Sequence, residues 1–189
     1  MKKLVVMYDA CVLYSAPLRD LLMHLAMTYL YQAKWTNEIH DEWIRNVLAN
    51  RPDLKQSQLE RTRYLMNNNI RNCLVSGYEH LIPALKLPDP DNRHVLAAAI
   101  HSDSAMILTY NLRDFPNSTL SRYKIVAMHP DPFLNQLLEL YPNAVCGAIK
   151  KLRENLKNPP VSIFQYLLTL EKQSLPKTVK KLDSLSTLL

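Results

Sequence analysis

Two short apolar runs, Leu4-Val5-Val6-Met7-Tyr8 and Ala105-Met106-Ile107-Leu108-Thr109, constrain the fold of this chain more than any other feature. A strand with one face in water alternates apolar and polar residues, whereas an unbroken run needs cover on both faces. Helical patterns lie between the runs. Leu18, Leu21, Leu22, Leu25, Tyr29 and Leu30 recur at helical spacing over 16–31, behind a proline suited to a first turn. A short strand is expected near Ala33–Thr36. Thr36 or Asn37 then caps a helix to about Asn50, with Ile39, Trp43 and Val47 on one face. Residues 54–73 read as helix and 74–87 as irregular. Pro88-Asp89-Pro90-Asp91 opens another helix, and Lys124–Met128 gives a further strand. Alternation of this kind predicts an α/β fold, a central parallel sheet flanked by helices.

After His129-Pro130 the pattern changes to helices broken by Pro142, Pro159-Pro160 and Pro176. Four are expected: Phe133–Leu140, Ala144–Leu156, Ile163–Leu170 and Val179–Leu188. The expected organisation is therefore a domain over 1–135 and a helical extension over 136–189.

The acids fall where these elements begin or end. Asp9 closes the first run, Glu42 sits early in its helix, Asp89 and Asp91 open the next, and Asn111 and Asp114 follow the second run. Each has a plainer reading. Asp9 could cap a turn, Glu42 could pair with Arg45 or Asn46 on the surface, Asp89 and Asp91 could favour a helix start, and Asn111 and Asp114 could shape a turn. A parallel sheet, however, can bring all of them to one edge, where such sheets bind ligands. Carboxylates that converge repel one another and are ordinarily held by a hard, oxygen-loving divalent cation, Mg²⁺ or Mn²⁺. Bound to such an ion, water ionises near neutral pH and can attack a phosphodiester.

Composition narrows the alternatives. Two glycines, Gly77 and Gly147, leave no room for a phosphate-cradling loop. The six histidines show no HExxH spacing, which argues against zinc, and His94 reads as a helix-surface residue. An aspartyl phosphatase would want a carboxylate where Cys11 stands. No serine sits in a nucleophile elbow, and nothing suggests a sugar cleft. The cysteines Cys11, Cys73 and Cys146 are expected to be buried free thiols. No apolar run spans a membrane and the first residues lack a signal-peptide layout, so a cytoplasmic protein is expected. Residues 1–119 hold 13 Lys+Arg against 12 Asp+Glu, and residues 120–189 hold 10 against 5. A basic flank beside an acidic cleft suits a nucleic-acid substrate.

The stretches VVMYDACVLYSAPLRDLLMHLA, WTNEIHDEWIRNVL, LPDPDNRHVLAAAI, ILTYNLRDFP and VAMHPDPFL resemble, in that order over about residues 3–135, the PIN-domain family, in particular its VapC-type toxin ribonucleases. The resemblance implies a Rossmann-like domain that hydrolyses RNA with Mg²⁺ or Mn²⁺, a cognate antitoxin that neutralises it, and commonly a homodimer. By position Asp9, Glu42, Asp91 and Asp114 match the family's four acids, with Asp89 and Asn111 alongside. Relatives often carry aspartate where Asn92 stands. Arg19, Arg93 and Arg113 are candidate phosphate contacts or organisers of the acids, with ordinary ion pairs as the plainer reading. The Leu170-Glu171 and Leu175-Pro176-Lys177-Thr178 segments resemble a carboxy-terminal extension found in a subgroup, which could hold RNA, form a dimer surface or seat the antitoxin. Two alternatives stay open: an RNA-binding scaffold that keeps the fold without catalysis, and an RNA-processing nuclease without an antitoxin.

Overall fold

The strand β1 (Val5–Tyr8) lies inside a four-stranded sheet with β2 (Gln32–Lys34), β3 (Met106–Leu108) and β4 (Val126–Met128), in a computed structural model that describes residues 3–157 and 159–189. The order is β2-β1-β3-β4 and every pairing is parallel, with Val6 opposite Ala33 on one side and Met106 on the other. Val6, Met7, Tyr8, Ile107 and Leu108 have no exposed surface, as unbroken apolar runs require. From β1 the chain steps to β2 on one side and then returns to β3 on the other. The carboxyl ends of β1 and β3 therefore flank the point where the strand order reverses, the usual crevice for a ligand in such sheets.

By packing, Met1–Tyr14 and Leu30–His129 form one unit, and Ser15–Tyr29 with Pro130–Leu189 form a second. In the first unit α1 (Ala10–Tyr14) follows β1 directly; α2 (Ala16–Ala26) belongs to the second unit. The predicted helix over 16–31 thus stops five residues early, and Tyr29 then adopts a left-handed φ of 60° before β2. α3 (Asn37–Asn50) starts where its cap was expected: the Thr36 hydroxyl accepts from the Ile39 amide at 3.0 Å, a contact worth about 1 kcal/mol. α4 (Gln56–Asn69), α5 (Arg93–His101) and the single turn α6 (Asn117–Leu120) complete the unit's helices, with a 3₁₀ segment at Glu79–Ala84 inside the stretch read as irregular.

A buried network fixes α3. Asn67 Oδ1 accepts from Trp35 Nε1 at 2.7 Å and lies 3.0 Å from His40 Nε2. Trp43 Nε1 donates to His40 Nδ1 at 3.0 Å, so His40, with no exposed surface, is a neutral core residue tying α3 to α4.

The second unit is helical among its described residues: α2, α7 (Pro130–Leu140), α8 (Pro142–Asn155), α9 (Ile163–Glu171) and α10 (Pro176–Ser184), with α2 packed against α8 and α9. α10 begins three residues before the sequence suggested, because a residue far away in the chain caps it. Asp131, 5% exposed, accepts from the amides of Lys177 at 3.1 Å and Thr178 at 2.8 Å, and from the Thr178 hydroxyl at 2.8 Å. Among the described residues no helix is long and apolar enough to cross a membrane.

Candidate active site

Asp9 stands at the carboxyl end of β1, where the Asp9 amide donates to the Leu108 carbonyl at 3.1 Å. Its carboxylate is 2% exposed and fully engaged by neutral donors. Oδ1 accepts from the Ala10 amide at 2.7 Å; Oδ2 accepts from the Thr109 hydroxyl at 2.6 Å and from Cys11 Sγ at 3.0 Å. The Thr109 bond joins the end of β1 to the end of β3 across 100 residues of sequence. Burial raises the Asp9 carboxyl above its usual range. The bonds from Thr109, Cys11 and Ala10 pull it back, and the Glu42 charge pushes it further up. Cys11 is part-exposed rather than fully buried, and burial beside Asp9 raises its thiol strongly, which keeps it an inert hydrogen-bonding group.

The first unit carries a cleft of about 690 Å³. Glu38, Asp41 and Glu42 of α3 and Asp89 and Asp91 from the turn before α5 line it, against the cations Arg45 and Arg93. The Arg93 Nε is turned to the Pro90 carbonyl at 2.8 Å, and Asp41 is paired with Arg63 at 2.8 Å. Asn111 also lines the cleft and is exposed, its amide bonded to the Thr109 hydroxyl at 2.9 Å.

The turn Pro90–Asn92 decides which of its residues faces inward. Asp89 caps it through the Asp91 amide at 2.9 Å. Asp91, matched by position to the third acid, is exposed on the cleft wall. Asn92 is 8% exposed, and its Nδ2 lies 3.3 Å from Asp89 Oδ2 and 3.4 Å from Asp114 Oδ2. Arg19, by contrast, is on α2 in the second unit, 7% exposed, its guanidinium lowered by burial and raised by Asp20.

His94 corrects the sequence reading. It is not a surface residue but 6% exposed, with Nε2 3.4 Å from Glu42 Oε2 and Nδ1 3.7 Å from Glu38 Oε2. Its Nδ1 is buried without a hydrogen-bond partner. The signal that could have found it is the helical face it shares with Ala97 and Ala98, both fully buried.

Carboxylates, an amide and a hydroxyl make a set of hard oxygen donors, which fits Mg²⁺ or Mn²⁺ in kind. As they stand, no three His, Cys, Asp or Glu side chains among the described residues gather closely enough to hold an ion by themselves.

Residues 130–184 match the family model described as the VapC50 C-terminal domain. A Mycobacterium tuberculosis protein (strain ATCC 25618 / H37Rv) named "Putative ribonuclease VapC50" is 37% identical over 106 residues, covering 56% of this chain and 62% of that relative. Over these two stretches the chain is similar to VapC50-type proteins. The match spans about three-fifths of the relative's length. No solved structure matches the chain. The family-model match lies wholly within the second unit, so the part of the sequence least legible by motif is the part that a VapC50 model recognises.

Proposed function

We propose that the chain is a ribonuclease that hydrolyses RNA phosphodiester bonds with Mg²⁺ or Mn²⁺, and that it is the toxin of a toxin–antitoxin pair. The observation that carries the proposal is the Thr109–Asp9 bond at the reversal point of a parallel sheet, joined through the Asn111 amide to a cleft lined by carboxylates. The similarity to a relative named as a ribonuclease supports the substrate class. In this reading Asp9, Glu42, Asp91 and Asp114 hold the cation, with Asp89, Asn92 and Asn111 beside them. When bound, such an ion supplies an activated water and neutralises charge on the attacked phosphate.

The chain's own residues do the positioning. Thr109 and the Ala10 amide hold the Asp9 carboxylate in one orientation, and His94 lies against Glu42 in the lining of the cleft. Arg45 and Arg93 sit where a phosphate backbone entering an acidic cleft needs positive charge. The protein would act in the cytoplasm, with a cognate antitoxin and a second copy of itself as candidate partners.

Asn92 favours a second reading, an RNA-binding scaffold without catalysis, because it places a neutral amide between Asp89 and Asp114. An RNA-processing nuclease without an antitoxin would share the same site. Cleavage of labelled RNA by the purified chain with Mg²⁺, Mn²⁺ or EDTA, beside Asp9→Asn, separates them. Metal-dependent fragments that fall by about a hundredfold or more in the variant support the ribonuclease, on the scale of losing one preorganised electrostatic group. RNA binding with no cleavage under either metal would leave the scaffold. Toxicity on expression, relieved by a small protein encoded alongside, distinguishes toxin from processing enzyme.

A further inference from the structure

We propose that Asn92 makes cation binding at this cleft depend on an RNA phosphate, so that the divalent ion and the substrate bind together rather than in sequence. The inference rests on the ribonuclease reading above and concerns how this particular chain loads its site. Asn92 is the buried side chain that reaches both Asp89 and Asp114, at 3.3 and 3.4 Å through the same Nδ2. A neutral amide offers two carboxylates only partial positive charge, and it brings no negative charge of its own to an incoming cation.

Two further observations point the same way. Among the described residues no three Asp, Glu, His or Cys side chains close around one point. His94, in the lining of the same cleft, keeps a buried Nδ1 without a hydrogen bond, its Glu38 neighbour standing off at 3.7 Å. Asn92 and His94 also divide the acids, the amide lying between Asp89 and Asp114 and the imidazole between Glu38 and Glu42. Asn92 thus bridges one pair of acids, and His94 lies beside another. Mg²⁺ and Mn²⁺ accept such incomplete protein sites when substrate phosphates supply the remaining oxygens. An RNA phosphate brings the negative charge that position 92 lacks.

The test is Mn²⁺ titration of the full chain, read as loss of the free-ion electron paramagnetic resonance signal, for the native sequence and Asn92→Asp. Each is titrated alone and with a 2′-O-methyl oligoribonucleotide, checked intact afterwards and corrected for the Mn²⁺ it holds by itself. Alone, the native chain should bind Mn²⁺ at least about tenfold more weakly than Asn92→Asp, the scale of changes beside metal ligands. The oligonucleotide should tighten the native chain by about tenfold and the variant much less. Equal affinities for the two proteins without oligonucleotide would overturn the proposal and leave the ribonuclease reading standing. Mn²⁺ bound by neither protein, even with oligonucleotide, would overturn both. Should the variant fail to fold, the native chain decides alone: an affinity that the oligonucleotide does not change also overturns the proposal.

Discussion

Two buried aspartates, one in each unit, meet opposite surroundings. Asp131 in the helical unit faces the start of α10, where two amides and a hydroxyl donate to it and the helix dipole favours its charge. Asp9 in the sheet unit is as deeply buried, but it faces the charge of Glu42, and burial outweighs the three neutral donors around it. The first arrangement lowers the energy of the folded chain. The second retains an unfavourable charge that folding by itself does not need, as expected where a site is arranged for a ligand.

Breaking each aspartate should therefore give opposite results. Asp131→Ala removes the cap of α10 and leaves the buried Thr178 amide and hydroxyl without their acceptor, which should cost about 3 kcal/mol in denaturant unfolding. Asp9→Asn keeps the shape and removes the repelled charge, so stability should hold or rise while cleavage is lost. A loss of stability in Asp9→Asn comparable to that in Asp131→Ala would erase the distinction and make Asp9 a structural residue.

His94 sharpens the contrast at a smaller scale. If it positions Glu42, His94→Ala should lower the turnover rate of RNA cleavage by about tenfold, as losing a partner of a metal ligand does, and His94→Gln should recover part of it. A turnover rate unchanged in both variants, with KM also unchanged, would return His94 to the role of a packed helix residue.

The sheet and its central acid were legible because both depend on local sequence. The two apolar runs require burial on both faces, and an aspartate directly after the first must sit at the sheet's edge. What stayed hidden depends on contacts distant in sequence or on a rotation of one residue. Asp91 and Asn92 are adjacent, and a 3₁₀ turn of three residues per revolution, rather than α-helix, points Asn92 inward and leaves Asp91 on the wall. The start of α10 is set by Asp131, 47 residues earlier. The helix α2 reads like any helix flanking a sheet, yet it packs with α8 and α9, and no periodicity within 16–26 encodes that choice. The face His94 shares with Ala97 and Ala98 signals burial, but the carboxylates it meets lie on α3, some fifty residues earlier.

The subtlest test of the comparison is the pH dependence of stability without divalent cation. The Asp9 carboxyl is raised in the folded chain above the 3.8 of an exposed aspartate, mainly by burial and also by Glu42. Between those two values the folded state holds a proton that the unfolded state has released. Stability must then fall as pH rises through that window, the reverse of an aspartate stabilised by a cation or a helix start. After dialysis against EDTA, unfolding midpoints measured across that range should decline more steeply with rising pH for the native chain than for Asp9→Asn. Other carboxylates titrate in the same range, so the difference between the two proteins carries the information, not either curve alone. Parallel curves would mean that Asp9 titrates alike folded and unfolded. Folding would then impose no net cost on its charge, and the contrast between the two units would rest on cleavage alone.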